Sequence, residues 1–194
     1  MTKNRTAFAV DMAFKAALLG LLAFSVAFPD SPRFEDKAMT WRSLAYPISV
    51  LIVPVGWWIV QQRRDRPVAY PYALDILLVA PFLIDTLGNA LDLYDSIGWW
   101  ADANHFINWG ILVAAFGRLL VRLPIGRLEV ASLAIGFGAV TAILWELGEY
   151  VASIHDGSEE ATAYASTLGD LALGLGGSCV AALLTVTVLW PRSS

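Results

Sequence analysis

The chain has 194 residues, of which 57% are hydrophobic and 15% are charged, and its formal net charge is −4. Soluble domains carry about a quarter charged residues, so this composition and a mean hydropathy of +0.60 indicate an integral membrane protein. The chain has no long basic tract, which argues against nucleic acid as a partner. Its lone cysteine, Cys179, excludes an intrachain disulfide and a cysteine-rich metal site.

Six apolar stretches are long enough to cross a bilayer, which takes about 20 residues per helix. In chain order they run from about Ala7 to Phe28, Ser43 to Val60, Tyr70 to Leu87, Ala103 to Leu120, Leu128 to Val151 and Leu168 to Trp190. The first has the basic start of a signal peptide, but Asp11 and Lys15 precede its apolar part, so we interpret it as an uncleaved span. We predict an all-α fold, a bundle of six transmembrane helices that forms a single integral membrane domain over residues 1–194.

The short loops set the predicted orientation, because cytoplasmic loops are enriched in lysine and arginine. With six spans, one side carries Lys3, Arg5, Arg63, Arg64, Arg66, Arg118, Arg122, Arg127 and Arg192, and the other carries only Arg33, Lys37 and Arg42. We therefore predict that both termini are cytoplasmic.

Six acidic or histidine side chains fall near the outer side of four spans: Asp85, Asp102, His105, Glu146, Glu149 and Asp170. Ionisable groups within a membrane are costly and mark functional sites by default. Asp102 and His105 are spaced i, i+3, as are Glu146 and Glu149, so each pair shares a helix face. At the inner side Asp75 is predicted to stand alone, apart from Asp11 and Lys15, whose i, i+4 spacing predicts an ion pair.

Crowded carboxylates need a cation, bound protons or water. One histidine among several carboxylates favours Mg²⁺, Mn²⁺ or Ca²⁺, with Fe or Zn as alternatives. The predicted metal ligands are Asp102, His105, Glu146 and Asp170, and the predicted catalytic bases are Glu149 and Asp85. Asp102 and Asp170 could instead complement helix N-termini, whereas Glu146 and Glu149 lie near a helix C-terminus, where negative charge is unfavourable.

Two further features belong to the sixth span. Ser166 or Thr167 is predicted to cap its N-terminus, which would put Asp170 in the first turn. Small residues follow within the span, and such residues let a neighbouring helix approach closely. They are Gly174, Gly176, Gly177 and Ser178.

The polar motifs resemble those of two membrane families. Asp102-Ala-Asn-His105-Phe106, with Gly110 after it, resembles the D-K-x-x-H-F-x-x-x-G core of VanZ-like proteins, although the lysine is absent. The pairing of this motif with Trp145-Glu146-Leu-Gly-Glu149 and a late Asp170 is more similar to the YjdF-like family of bacterial inner-membrane proteins. The resemblance covers about residues 85–182. It implies a location in a bacterial inner membrane and a role at the cell envelope, without supplying a reaction.

Three functions are consistent with these features. The leading hypothesis is a metal-dependent membrane hydrolase or transferase that acts on a lipid or lipid-linked envelope substrate, with its site facing the periplasm or exterior. The first alternative is a proton- or cation-coupled transporter. The second is a non-enzymatic envelope interaction protein with a structural metal ion. The oligomeric state stays open.

Overall fold

A computed structural model of the protein describes residues 2–34, 37–154 and 160–190, and side chains within these ranges except for residues 2–3, 152–154 and 160–164. These ranges are helical, with no strand among them. The helices are α1 (Thr2–Ala27), α2 (Met39–Gln62), α3 (Tyr72–Ala90), α4 (Leu93–Ser96), α5 (Trp100–Leu120), α6 (Arg127–Ile154) and α7 (Glu160–Thr187). The predicted all-α fold is confirmed.

The helices belong to two compact units, Met1–Leu93 and Tyr94–Ser194. In the first unit, α1, α2 and α3 all pack against one another. In the second unit, α7 packs most extensively against α5 and also against α6, and α5 contacts α6. The short helix α4 spans the boundary between the two. The single domain over residues 1–194 stays a prediction.

In both units some polar or charged side chains are buried while many large apolar side chains are exposed, unlike in a soluble protein. Asp11, Lys15 and Asp75 are buried, as are Thr86 and Ser178, whereas large aliphatic side chains are exposed. The exposed set on α2 includes Leu44, Ile48, Leu51 and Ile52, and that on α6 includes Leu144, Leu147 and Val151. Surfaces this apolar are satisfied by lipid, so the chain is an integral membrane protein.

Five helical segments have the length and apolarity to cross a bilayer: Asn4–Ala27, Met39–Gln62, Tyr72–Ala90, Arg127–Val151 and Ala165–Thr187. They match five of the six predicted spans. The exception is α5, whose 21 residues reach about 31 Å at 1.5 Å per residue. Its first turns carry Asp102, Asn104, His105 and Asn108, which lower its hydropathy. Five of the six predicted membrane spans are therefore supported.

Small residues allow the close contact between α5 and α7. A Cβ atom added at Gly110 of α5 would lie 3.4 Å from the carbonyl oxygen of Gly177 in α7. A Cβ at Gly177 would collide with the backbone carbonyl of Phe106, and one at Gly174 would lie 2.6 Å from the Trp109 indole. The predicted close approach is confirmed, and it fixes α5 beside α7 one turn from His105.

Helix boundaries differ from prediction in one place that matters for the site. Because α7 begins at Glu160, Ser166 and Thr167 lie inside the helix and do not cap it. Prolines also interrupt two helices of the first unit, Pro47 and Pro54 within α2 and Pro81 within α3.

Candidate metal centre

Three side chains from the three long helices of the second unit converge on one point. His105 of α5, Glu146 of α6 and Asp170 of α7 each offer one ligand atom, and these atoms all lie within 4.8 Å of one another. Atoms that bind a common ion at about 2.0–2.4 Å lie up to roughly 4–5 Å apart. Small side-chain rotations would bring these atoms to coordinating distance. We call these three residues the candidate centre.

Hydroxyl groups of α7 lie beside the carboxylates of the candidate centre. Ser166 Oγ donates a hydrogen bond to Asp170 Oδ2 at 3.4 Å, and Thr167 lies next to Glu146. His105 Nε2 lies 3.5 Å from Asp170 Oδ1, and the side chains of His105 and Asp170 are 17% and 18% exposed. The centre is therefore oriented by neighbours yet open enough for an ion to reach it.

The other two predicted acids of this unit lie beside the candidate centre. Asp102 is exposed, one turn before His105, and its charge acts on Asp170. Glu149 is also exposed, and its charge acts on Glu146. Both are near enough to influence the centre electrostatically, but neither belongs to the three atoms grouped within 4.8 Å. The roles of Asp102 as a ligand and Glu149 as a base stay predictions.

No lysine or arginine occurs from Trp99 to Gly117 or from Leu128 to Trp190. The nearest along α5 is Arg118, about 20 Å along the helix axis from His105 at 1.5 Å per residue. Arg127 lies at the opposite end of α6 from Glu146, about 28 Å away along that axis. The carboxylates of the candidate centre therefore have no lysine or arginine of these helices within reach to balance them.

Asp85, predicted as a second base, belongs to the first unit and has well-defined partners there. Its Oδ2 atom accepts hydrogen bonds from the Tyr46 hydroxyl at 2.6 Å and from Arg42 Nε at 3.0 Å. Asn89 Nδ2 donates to the Asp85 backbone oxygen at 3.0 Å. These contacts account for a buried carboxylate without a catalytic role, and its action as a base stays a prediction.

Asp75 does not stand alone as predicted. Lys15 of α1 forms an ion pair with the Asp75 carboxylate, and Tyr70 donates a hydrogen bond to the same oxygen. The predicted pairing of Lys15 with Asp11 is confirmed, at 3.3 Å between Nζ and Oδ2. Burial, and then the hydrogen bond to Asp75, raise the pKa of Tyr70, so its hydroxyl keeps its proton. Lys15 and Asp75 are 60 positions apart in the sequence, so no local pattern could have predicted their contact.

Two polar residues of α5 were also missed. Asn108 Nδ2 donates to Asn104 Oδ1 at 2.7 Å, and the buried Asn104 donates to the Tyr94 hydroxyl. Their i, i+4 spacing on an otherwise apolar helix was the available signal. The sequence also predicts a solvated loop before the sixth span that contains His155, Asp156, Glu159 and Glu160. Glu160 instead begins α7, whereas the other three, like Arg192 after the sixth span, lie outside the described residues.

No protein-family model, curated protein or solved structure matches the chain.

Proposed function

We propose that the second unit binds a divalent metal ion at His105, Glu146 and Asp170. The observation that carries this proposal is the grouping of three ligand atoms, one from each of α5, α6 and α7, within 4.8 Å of one another. The absence of lysine and arginine from these parts of the helices supports it, because neighbouring, partly buried carboxylates are stabilised by a compensating charge. Asp102 is proposed as a fourth ligand, reached from the same face of α5 as His105.

We propose that α5 crosses the membrane as a sixth span. Its length is sufficient, and its polar residues can face α6 and α7 instead of lipid, as ionisable residues in membrane helices do. Six spans put both termini and the arginine-rich loops in the cytoplasm, and the candidate centre near the outer face of a bacterial inner membrane. A C-terminal reporter that is active only in the cytoplasm tests this topology. Activity supports six spans, and inactivity with a cytoplasmic N-terminus contradicts them.

The chemistry proposed for this centre is hydrolysis or group transfer on a lipid or lipid-linked envelope substrate. Three protein ligands leave coordination positions open, and a bound divalent ion polarises a phosphoryl or carbonyl oxygen and activates water. Glu149, near Glu146, would accept a proton as the base. The exposed position of Glu149 and the partial exposure of His105 and Asp170 support access for a headgroup from the membrane surface.

Metal content of the detergent-purified, full-length protein tests the proposal directly. After loading with Mn²⁺ or Zn²⁺ and removal of free ions, we expect about one ion per chain in the wild type. The double variant His105→Ala with Glu146→Ala should lose it. Glu129→Gln, an exposed acid in the first turn of the same helix α6, is the matched control and should retain it. Absence of stoichiometric metal from the wild type would refute the site.

Activity measurements separate the three functions that such a site can serve. Turnover of a phospholipid or lipid-linked phosphate in proteoliposomes, lost with Glu149→Gln while metal is retained, supports the enzyme. Flux that depends on a pH gradient supports a transporter instead. Stabilisation by Ca²⁺ with neither turnover nor flux supports a structural ion.

The motifs Asp102-x-x-His105 and Trp145-Glu146-x-x-Glu149 also lead us to propose that the chain is a distant member of the YjdF-like family. The proximity of His105 and Glu146 supports the view that the two motifs act as one site.

A further inference from the structure

The first unit holds a buried ionisable cluster that the candidate centre does not involve. Asp11 and Lys15 of α1 are 1% and 7% exposed, and Asp75 of α3 is fully buried. Two carboxylates against one ammonium leave an excess of one negative charge. An uncompensated charge buried in a membrane is strongly unfavourable, so something further must neutralise the cluster.

Three carboxylate oxygens of this cluster have no hydrogen-bond partner. They are both side-chain oxygens of Asp11 and the Oδ1 atom of Asp75. Lys15 Nζ lies 3.3 Å from Asp11 Oδ2 and also forms an ion pair with Asp75 Oδ2. The two carboxylates therefore flank one ammonium group, and each keeps at least one oxygen without a hydrogen-bond partner.

The surrounding elements supply no further positive charge to this cluster. On α1, Arg5 is exposed. On α2, Arg42 is the sole charged side chain, and it is bound to Asp85. Tyr70, which precedes α3, donates to Asp75, and Tyr72 of α3 packs its ring against that of Tyr70. Among the described side chains, Lys15 is thus the only cation of the cluster.

We propose that Asp11 and Asp75 form a proton-binding site, in which two carboxylates share one proton beside the fixed positive charge of Lys15. Neighbouring carboxylates commonly hold one proton between them, since both cannot stay ionised at close range. A proton on Asp11 converts one of its unpartnered oxygens into a donor and leaves one negative charge to balance the Lys15 ammonium. A metal cation at the same carboxylates would be repelled by the Lys15 ammonium, so the proton is the favoured ligand.

Infrared spectroscopy of the full-length protein with isotope-labelled aspartate tests the shared proton. The wild type at neutral pH should show the carbonyl stretch of a protonated aspartic acid that Asp11→Asn loses. Asp65→Asn, which changes an exposed acid of the same unit, is the control and should leave the band intact. Identical spectra for the wild type and Asp11→Asn would overturn the proposal.

The Asp11→Asn variant is informative even if it folds poorly. Asparagine matches a protonated carboxyl group in shape and charge, so the proposal requires this variant to fold. Its failure to fold would show that the charged form of Asp11 is needed and would overturn the shared proton. A melting temperature that rises with Na⁺ but not with choline in the wild type, and with neither in Asp11→Asn, would assign the site to a metal cation instead.

Discussion

Asp11, Asp75 and Asp85 of the first unit are buried, whereas the carboxylates of the candidate centre in the second are partly exposed, and the two units also differ in what balances the charge. In the first unit, Lys15 lies between Asp11 and Asp75, and Arg42 is bound to Asp85. In the second unit, Glu146 and Asp170 meet His105 on helices that carry no lysine or arginine near them. The first unit therefore supplies most of its own countercharge, whereas the second has His105 but no lysine or arginine on these helices near its carboxylates. That difference is why we place the metal ion in the second unit.

The largest expected effect tests the internal countercharge of the first unit. Lys15→Met should destabilise the protein by about 3–5 kcal/mol, because it leaves buried carboxylates without their cation. Thermal unfolding in detergent measures the loss. The double variant Lys15→Met with Asp75→Asn should lose less stability than the sum of the losses in the two single variants. Each substitution removes the group that the other leaves without its partner. Strict additivity would show that Lys15 and Asp75 do not stabilise each other.

A smaller effect tests whether helix packing builds the centre of the second unit. Gly177→Ala places a Cβ against the Phe106 carbonyl and should cost about 1–3 kcal/mol through overpacking. We also expect reduced metal content, because α5 would have to move away from α7. Gly169→Ala is the matched control on the same helix, since a Cβ there meets nothing within 4 Å. If both variants have the same stability and the same metal content, the close packing of α5 against α7 does not position His105.

The smallest effect concerns the hydroxyl group of Thr167, which lies next to Glu146. Thr167→Val keeps the side-chain shape but removes this hydroxyl, a donor able to orient the Glu146 carboxylate. Metal affinity should fall about tenfold, which is typical of lost outer-shell contacts, with little change in melting temperature. Thr187→Val, whose hydroxyl bonds to the backbone of its own helix, should leave the affinity unchanged. An unaltered metal affinity in Thr167→Val would show that this hydroxyl group does not contribute to the site.

Hydropathy was sufficient to predict most of the fold, because long apolar stretches separated by charged loops leave few alternatives. Glu146 and Asp170 were identified by their cost in an apolar segment and by their common predicted depth. The rotation of each helix about its axis could not be predicted from the sequence. The sequence therefore did not show that His105 belongs to the candidate centre whereas Asp102 lies beside it. The start of α7 was also missed, because the polar residues before Leu168 continue the helix.

Contacts between residues far apart in the sequence could not be predicted either. Lys15 and Asp11 were paired correctly because they are one helical turn apart. The contact of Lys15 with Asp75 depends on how α1 packs against α3, which no local pattern encodes. The grouping of Asp85 with Tyr46 and Arg42 has the same origin, since it joins α3 to α2.

The prolines of α2 have a consequence for that last grouping. Proline has no N–H to donate, so Pro47 and Pro54 leave the carbonyls of Ser43 and Val50 without the usual helical bond, at two levels about two turns apart. Kinks in helices occur at such positions. Tyr46 and Arg42 both precede the first of them, whereas their common acceptor, Asp85, is on α3. A single carboxylate thus attaches to α3 the segment of α2 that precedes its first proline.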